Sequence, residues 1–158
     1  MMTNIDLEED CKEFQVPLVG IFNKDLLPPT PQAGGYIINT QDDLCATTGE
    51  DLPGTHWVAF YIEGKHAVYF DSFGFAPALQ VQNFLKPFIP YEYNTQLIQN
   101  IRSGVCGKYV LFFLVYMTRM RRTHPDLNTR FKQFLRLWSP NVLDNRTILL
   151  EQLKKIKK

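Results

Sequence analysis

The spacing of hydrophobic positions along this chain changes character about two-thirds of the way through. Up to about residue 100 apolar residues come in short bursts rich in Val, Ile, Phe and Tyr, separated by turn formers. Bursts of that kind read as strands. "PLVGIF", "GYIINT", "THWVAFYI" and "HAVYFDSF" fit this pattern, and "EGK" between the last two predicts a hairpin turn. "NKDLLPPTPQAGG" and "QDDLCATTGEDLPG" are polar and full of breakers, which predicts two loops. Pro77 suits the first turn of a short helix whose apolar positions are Leu79, Val81, Phe84 and Leu85. "YEYNTQLIQ" returns to strand character.

Beyond residue 106 the period is helical. Val110 to Met117 is apolar all round, as a fully buried helix must be. Arg119, Arg121 and Arg122 follow, at the end where a helix dipole favours cations. Pro125 stops that segment and Asp126 is placed to cap the next, whose stripe is Phe131, Phe134, Leu135 and Trp138. After "SPN", Asp144 or Asn145 is a candidate cap for a last helix carrying Ile148, Leu149, Leu153 and Ile156. Strands first and helices last predict an α+β fold, helices packed on a small sheet, in a single domain over residues 1–158.

Composition narrows this picture only slightly. No apolar run is long enough to span a membrane, and "MMTNIDLEEDCKEF" is acidic, without the pattern of a signal peptide. The expectation is a soluble intracellular protein with no membrane partner. Cys11, Cys45 and Cys106 are scattered and odd in number, which argues against a disulfide framework or a zinc site. The net charge of +1 hides an asymmetry: Arg119 to Lys158 holds 11 Lys/Arg against three acids. That is either the solvated faces of amphipathic helices or a cationic surface for a polyanion such as DNA.

One cysteine has the setting of a nucleophile. In "QNIRSGVCGKYVLFFLVYM", Cys106 stands at the mouth of the buried helix, where dipole and unpaired N–H groups favour a thiolate. The competing reading is packing, since cysteine is among the most buried residue types. A thiol nucleophile needs a base, a group to orient the base, and oxyanion donors. His66 lies in the hairpin turn and His124 before Pro125, both surface positions. His56 opens the strand "WVAFYI" at the sheet rim. Asp71 ends the neighbouring strand, and hairpin pairing brings it to the same end of the sheet, where a carboxylate would fix the imidazole tautomer. A structural rim histidine and an aspartate capping the "SFG" turn are the alternatives. Gln99 could supply an oxyanion donor beside the Cys106 N–H, and Gly104 and Gly107 would let a substrate approach closely. No phosphate loop, dinucleotide turn, zinc helix or serine elbow is present.

With these residues in place the chain resembles the adenain-type cysteine proteases, the maturation proteases of adenoviruses and of related virophages and Polinton-like elements. It is more distantly similar to proteases that process SUMO-like modifiers. The matching text is "VGIFNKDLLP", "YIINT", "GTHWVAFYI", "VYFDSFGFAP", "IQNIRSGVCGKYVLFFL" and "LRLWSPNVL", from about Pro17 to about Ile148. The resemblance implies a papain-like, adenain-like fold with the nucleophile at the N-terminus of a central buried helix. It implies His56 as base, Asp71 as its orienter, Cys106 as nucleophile and Gln99 in the oxyanion hole. It adds Trp57 as a wall of the passage holding the residues before a scissile bond, small residues and typically glycine. The implied activity is a viral or virophage-type endopeptidase acting on precursor capsid or core proteins in the host cell (virus factory, cytoplasm or nucleus) and in the virion. Adenoviral enzymes carry Glu where this chain has Asp71. They also use DNA and a disulfide-linked peptide as cofactors. The cysteine for that disulfide is missing between "FGFAP" and Gln99, while the basic stretch Arg119 to Lys158 keeps DNA in play. The sequence itself demands no cofactor. A protease for SUMO- or ubiquitin-like modifiers and a nucleic-acid-binding protein with a vestigial triad remain as alternatives.

Overall fold

The computed structural model describes residues 2–40, 56–100 and 106–156. The loop expected over "QDDLCATTGEDLPG", with Cys45, lies outside the described residues, as do Gly104, Lys157 and Lys158. Five strands, β1 (Leu18–Asn23), β2 (Gly34–Asn39), β3 (Trp57–Glu63), β4 (His66–Phe70) and β5 (Glu92–Tyr93), form one sheet in chain order. The outer pairs β1–β2 and β4–β5 are parallel and the inner pairs are antiparallel. The fold is therefore the α+β class with a small mixed sheet.

Both faces of the sheet are covered, which explains why its strands are apolar at nearly every position rather than alternately. Trp57, Ala59 and Tyr61 of β3, with Val68 and Phe70 of β4, face a core built on the helices. Val58, Phe60 and Ile62, with Ala67 and Tyr69, face a second core closed by Val81 and Leu85. That second layer is thin: helix α2 (Leu79–Phe84) and the turns around it. Pro77 precedes the α2 N-cap, Ala78, instead of standing in the first turn, and Leu79 is exposed rather than apolar-facing. The strand expected over "YEYNTQLIQ" shrinks to Glu92–Tyr93 for an identifiable reason. Beyond Tyr93 the side chain of Asn94 replaces the backbone ladder: its Oδ1 accepts from Asp71 N–H at 3.0 Å and its Nδ2 donates to Asp71 O at 2.6 Å.

The long helix α3 (Cys106–Arg119) runs through the larger core, with β3, α1 (Asn4–Glu13), α4 (Leu127–Leu135) and α5 (Val142–Ile156) around it. Phe112, Phe113, Leu114 and Val115 are almost wholly buried in it. At about 1.5–3 kcal/mol for each large apolar side chain, this helix is among the most firmly held parts of the molecule. The arginine cluster meets expectation only in part. Arg119 lies in the last turn, but it is the fully buried Arg130 that donates to an α3 carbonyl there, Met117 O, and also to His124 O and Pro125 O beyond the helix and to Glu63 Oε2.

Two helix starts differ from expectation. Helix α1 (Asn4–Glu13) was not foreseen in the acidic N-terminus, although "TNID" is a capping box: Thr3 Oγ accepts from Asp6 N–H and Asp6 Oδ2 from Thr3 N–H. Its apolar stripe is short, with only Leu7 and Cys11 buried on the helix. Asp126 caps α4 as expected, accepting from Thr129 N–H at 2.9 Å. For α5, neither Asp144 nor Asn145 is the cap; Asn141 Oδ1 accepts from Leu143 N–H, and Asn145 is wholly buried inside the helix.

Candidate active site

The β3–β4 hairpin builds half of the site. Ala59 pairs with Phe70, and continuing that register past the strand ends sets Asp71 opposite Val58 and Phe73 opposite His56. His56 and Val58 share a face, so Asp71 is a diagonal neighbour of His56, within side-chain reach. Asp71 Oδ1 lies 2.6 Å from His56 Nε2 and also accepts from Phe73 N–H at 2.8 Å. Asp71 is 3% exposed. A carboxylate only accepts, so Nε2 carries the proton, leaving Nδ1 to exchange one with another group. Phe73 stacks on the imidazole, centroids 4.2 Å apart and planes 10° apart, shielding the ion pair from water.

The group that interacts with the imidazole on its other side is Cys106, first residue of α3 and 7% exposed. Nδ1 is buried without a fully formed hydrogen bond. Burial by itself would push the Cys106 thiol up. The hydrogen bond to His56, with the Trp57 backbone, the charge of His56 and the Gly107 backbone, outweighs burial and holds the thiol below its ordinary range. Burial works against charge on His56 as well, but Asp71 and Cys106 outweigh it and raise the imidazole to about 9. The two shifts act in the same sense, each favouring a thiolate beside an imidazolium. Cys11 is the contrast: buried, beside Asp10, it is pushed up to about 12 and stays an inert thiol.

Gln99 is 1% exposed and reaches this end of the sheet through Ser72. The Gln99 and Ile98 N–H groups both donate to Ser72 O at 2.9 Å, and Ser72 Oγ donates to Gln99 Oε1 at 2.6 Å. Asn145 fixes the same segment from α5, donating to Ile98 O at 2.9 Å while bonding both backbone groups of Ser139. Trp57 is buried in the larger core, and its Nε1 makes no hydrogen bond among the described residues. Gly107 is also buried, and what its missing Cβ makes room for is Met2, whose Cβ and Sδ would lie 3.2 Å away. His66 is exposed and His124 stands at the α3–α4 junction, so neither joins the site.

The structure thus brings His56, Asp71 and Cys106 together and seats Gln99 against Ser72. Sequence reading missed Ser72, Phe73, Asn94 and Asn145, whose work is to hold the others. Gly74 belongs with them. It has φ +76°, donates its N–H to Asp71 O, and an added Cβ would lie 2.7 Å from Thr95 O and Gln96 O. Gly74→Ala should therefore destabilise the protein by about 2 kcal/mol or more, the left-handed backbone and the clash adding. A urea midpoint unchanged from wild type would show that the turn relaxes freely.

Two apolar cavities of about 280 and 430 Å³ lie on the helical side, the first between α1, α3 and α5 and the second between α3 and α5; neither includes a residue of the site. Among the described residues no group of His, Cys, Asp and Glu is arranged to hold a metal ion, and no helix is long and apolar enough to cross a membrane.

No family model and no curated protein matches the chain. Similar solved structures include two crystal structures of the ASFV pS273R protease. One is 21% identical, covers 61% of this chain and 35% of its own, and has a TM-score of 0.39. The other, in selenomethionine form, is 17% identical, covers 82% of this chain and 61% of its own, and has a TM-score of 0.42. The chain thus spans about a third and about three-fifths of those two chains.

Proposed function

We propose that the chain is a cysteine endopeptidase of viral or virophage type, processing precursor proteins at glycine-containing sites. One observation carries the reading: His56 lies between the Asp71 carboxylate and a thiol at the N-terminus of a buried helix. A structural histidine needs one partner, not an acid on one nitrogen and a depressed thiol on the other. In this mechanism the Cys106 thiolate attacks the scissile carbonyl carbon. The oxyanion is met by the Cys106 N–H and the Gln99 amide. His56 gives its Nδ1 proton to the leaving amine, then takes one from the water that releases the acyl group from sulfur. Trp57 would border the passage for small residues ahead of the scissile bond.

DNA as an activator enters on a separate observation. Arg130 is buried and committed within the fold, while Arg119 donates to Ile156 O and the exposed Arg121 pairs with Glu63 at the surface. Arg146, Lys154 and Lys155 of α5 are exposed cations, spread around the helix rather than gathered on one face.

The test is cleavage of a fluorogenic Gly-Gly peptide before and after treatment with one equivalent of iodoacetamide, with and without duplex DNA. The expected result is cleavage that disappears as Cys106 is alkylated, and a rate that rises with DNA at low salt. Cleavage that survives full alkylation of Cys106 would refute the assignment. An unchanged rate with DNA would remove the activator from it.

A further inference from the structure

The three residues Asp71, Ser72 and Phe73 each touch a different part of the site. Asp71 holds one nitrogen of His56 and Phe73 covers its ring. Ser72 points to neither: fully buried, it spends its hydroxyl on the Gln99 side chain and its carbonyl on the Gln99 and Ile98 N–H groups.

The bond runs from the Ser72 hydroxyl to the carbonyl end of the amide, Oε1, at 2.6 Å. That length is ordinary for a hydroxyl donating to a carbonyl oxygen. The hydroxyl therefore grips Oε1, and the Nε2 end of Gln99 is turned away from Ser72. An amide that can rotate by half a turn presents oxygen as readily as N–H₂, and oxygen repels an oxyanion. Gripping Oε1 removes that alternative. Backbone bonds from the same residue fix where the side chain starts, and Asn145 pins the preceding carbonyl from α5.

We propose that Ser72 is a positioning residue of the peptidase reaction, locking the Gln99 amide so that its N–H₂ is presented to the oxyanion. This rests on the cysteine-peptidase reading and on Gln99 as an oxyanion donor. It also makes Asp71-Ser72 a single jig for two halves of the catalyst: Asp71 sets the base, and Ser72 sets the oxyanion donor. Removing either should disable a different half.

The experiment compares wild type with Ser72→Ala, Gln99→Ala and the double variant in two reactions. Peptide hydrolysis passes through an oxyanion. Alkylation of Cys106 by iodoacetamide does not; it needs only the thiolate. Ser72→Ala should lower kcat about 10-fold or more, with KM little changed. Its alkylation rate and the pH dependence of that rate should match wild type. In the Gln99→Ala background the Ser72 change should add nothing, since both act on one interaction. Independently of any variant's folding or turnover, the Gln99 side-chain amide of ¹⁵N-labelled wild type should be rigid beside that of exposed Gln32.

Wild-type turnover in Gln99→Ala would remove the oxyanion donor, and this proposal with it. A slow Gln99→Ala beside a Ser72→Ala of normal kcat would refute Ser72 alone. Loss of alkylation together with hydrolysis in Ser72→Ala would make its role structural and overturn the proposal. So would a Gln99 amide as mobile as that of Gln32.

Discussion

Cys106→Ala should abolish peptide cleavage, by about 10⁴-fold or more, while the protein melts close to the wild-type temperature. The two halves of this expectation come from different facts. The loss is large because in the proposed mechanism the thiolate is the attacking atom. Cys11, the other buried thiol described, sits on α1 with its thiol pushed up to about 12, so Cys11→Ala should leave cleavage intact. The stability change is small because cysteine packs as a small hydrophobe. α3 is meanwhile anchored along its whole length by Phe112, Phe113, Leu114 and Val115. Rate measurements on the three proteins, with thermal melts beside them, check both halves. A Cys106→Ala variant that still cleaves would refute the mechanism. One that has unfolded would show that the thiol is core material, the packing reading its sequence position also allows.

That ambiguity shows what local pattern carries. The hairpin was legible because strand chemistry and the "EGK" turn fix its register, and register alone puts Asp71 within reach of His56. The buried helix was legible because Val110 to Met117 has no polar side to expose. Its first turn at Cys106 follows from where the apolar run begins. The supporting residues were not legible, for a common physical reason. Asn94, Asn145 and Ser72 act by side-chain bonds to segments 23 to 47 residues away, or across to Gln99, and nothing in their own neighbourhoods marks that. Asn145 in particular looked like a cap, because its sequence surroundings are those of a helix start. The segment after Tyr93 looked like a strand because its apolar residues are spaced like one, but Asn94 ends the ladder with its side chain. Helix α1 was missed from too little hydrophobicity: with two buried positions, its capping box was the better signal.

The charge coupling across His56 yields the second large effect. Asp71→Asn should slow cleavage by about 10²-fold or more and move the alkylation profile of Cys106 toward that of an ordinary thiol. In wild type the Cys106 thiol is held below its usual range and His56 is raised to about 9, and both shifts favour the ion pair. Alkylation should already be fast near neutral pH. Cleavage, which also needs the His56 proton for the leaving amine, should fall as pH passes about 9. Asparagine in place of Asp71 keeps the oxygen that can accept from Nε2 and from Phe73 N–H, so geometry survives and the charge does not. His56 then drops back as burial, the largest influence on it, prevails. The thiolate loses its counterion in turn. Stability follows with a definite sign. His56 is raised in the folded protein from about 6.5 when unfolded, so its contribution is complete below about 6.5 and is lost as pH rises to about 9. Cys106, held below its usual range, contributes with the opposite sign, and between about 6.5 and 9 the folded and the unfolded pair each hold one proton, so the stability gap between wild type and Asp71→Asn should stay nearly level across that window. Urea midpoints of both proteins across that range measure the gap directly. An unmoved alkylation profile would mean that the Asp71 charge does not reach the thiol through His56. The site would then be three neighbours rather than one coupled unit.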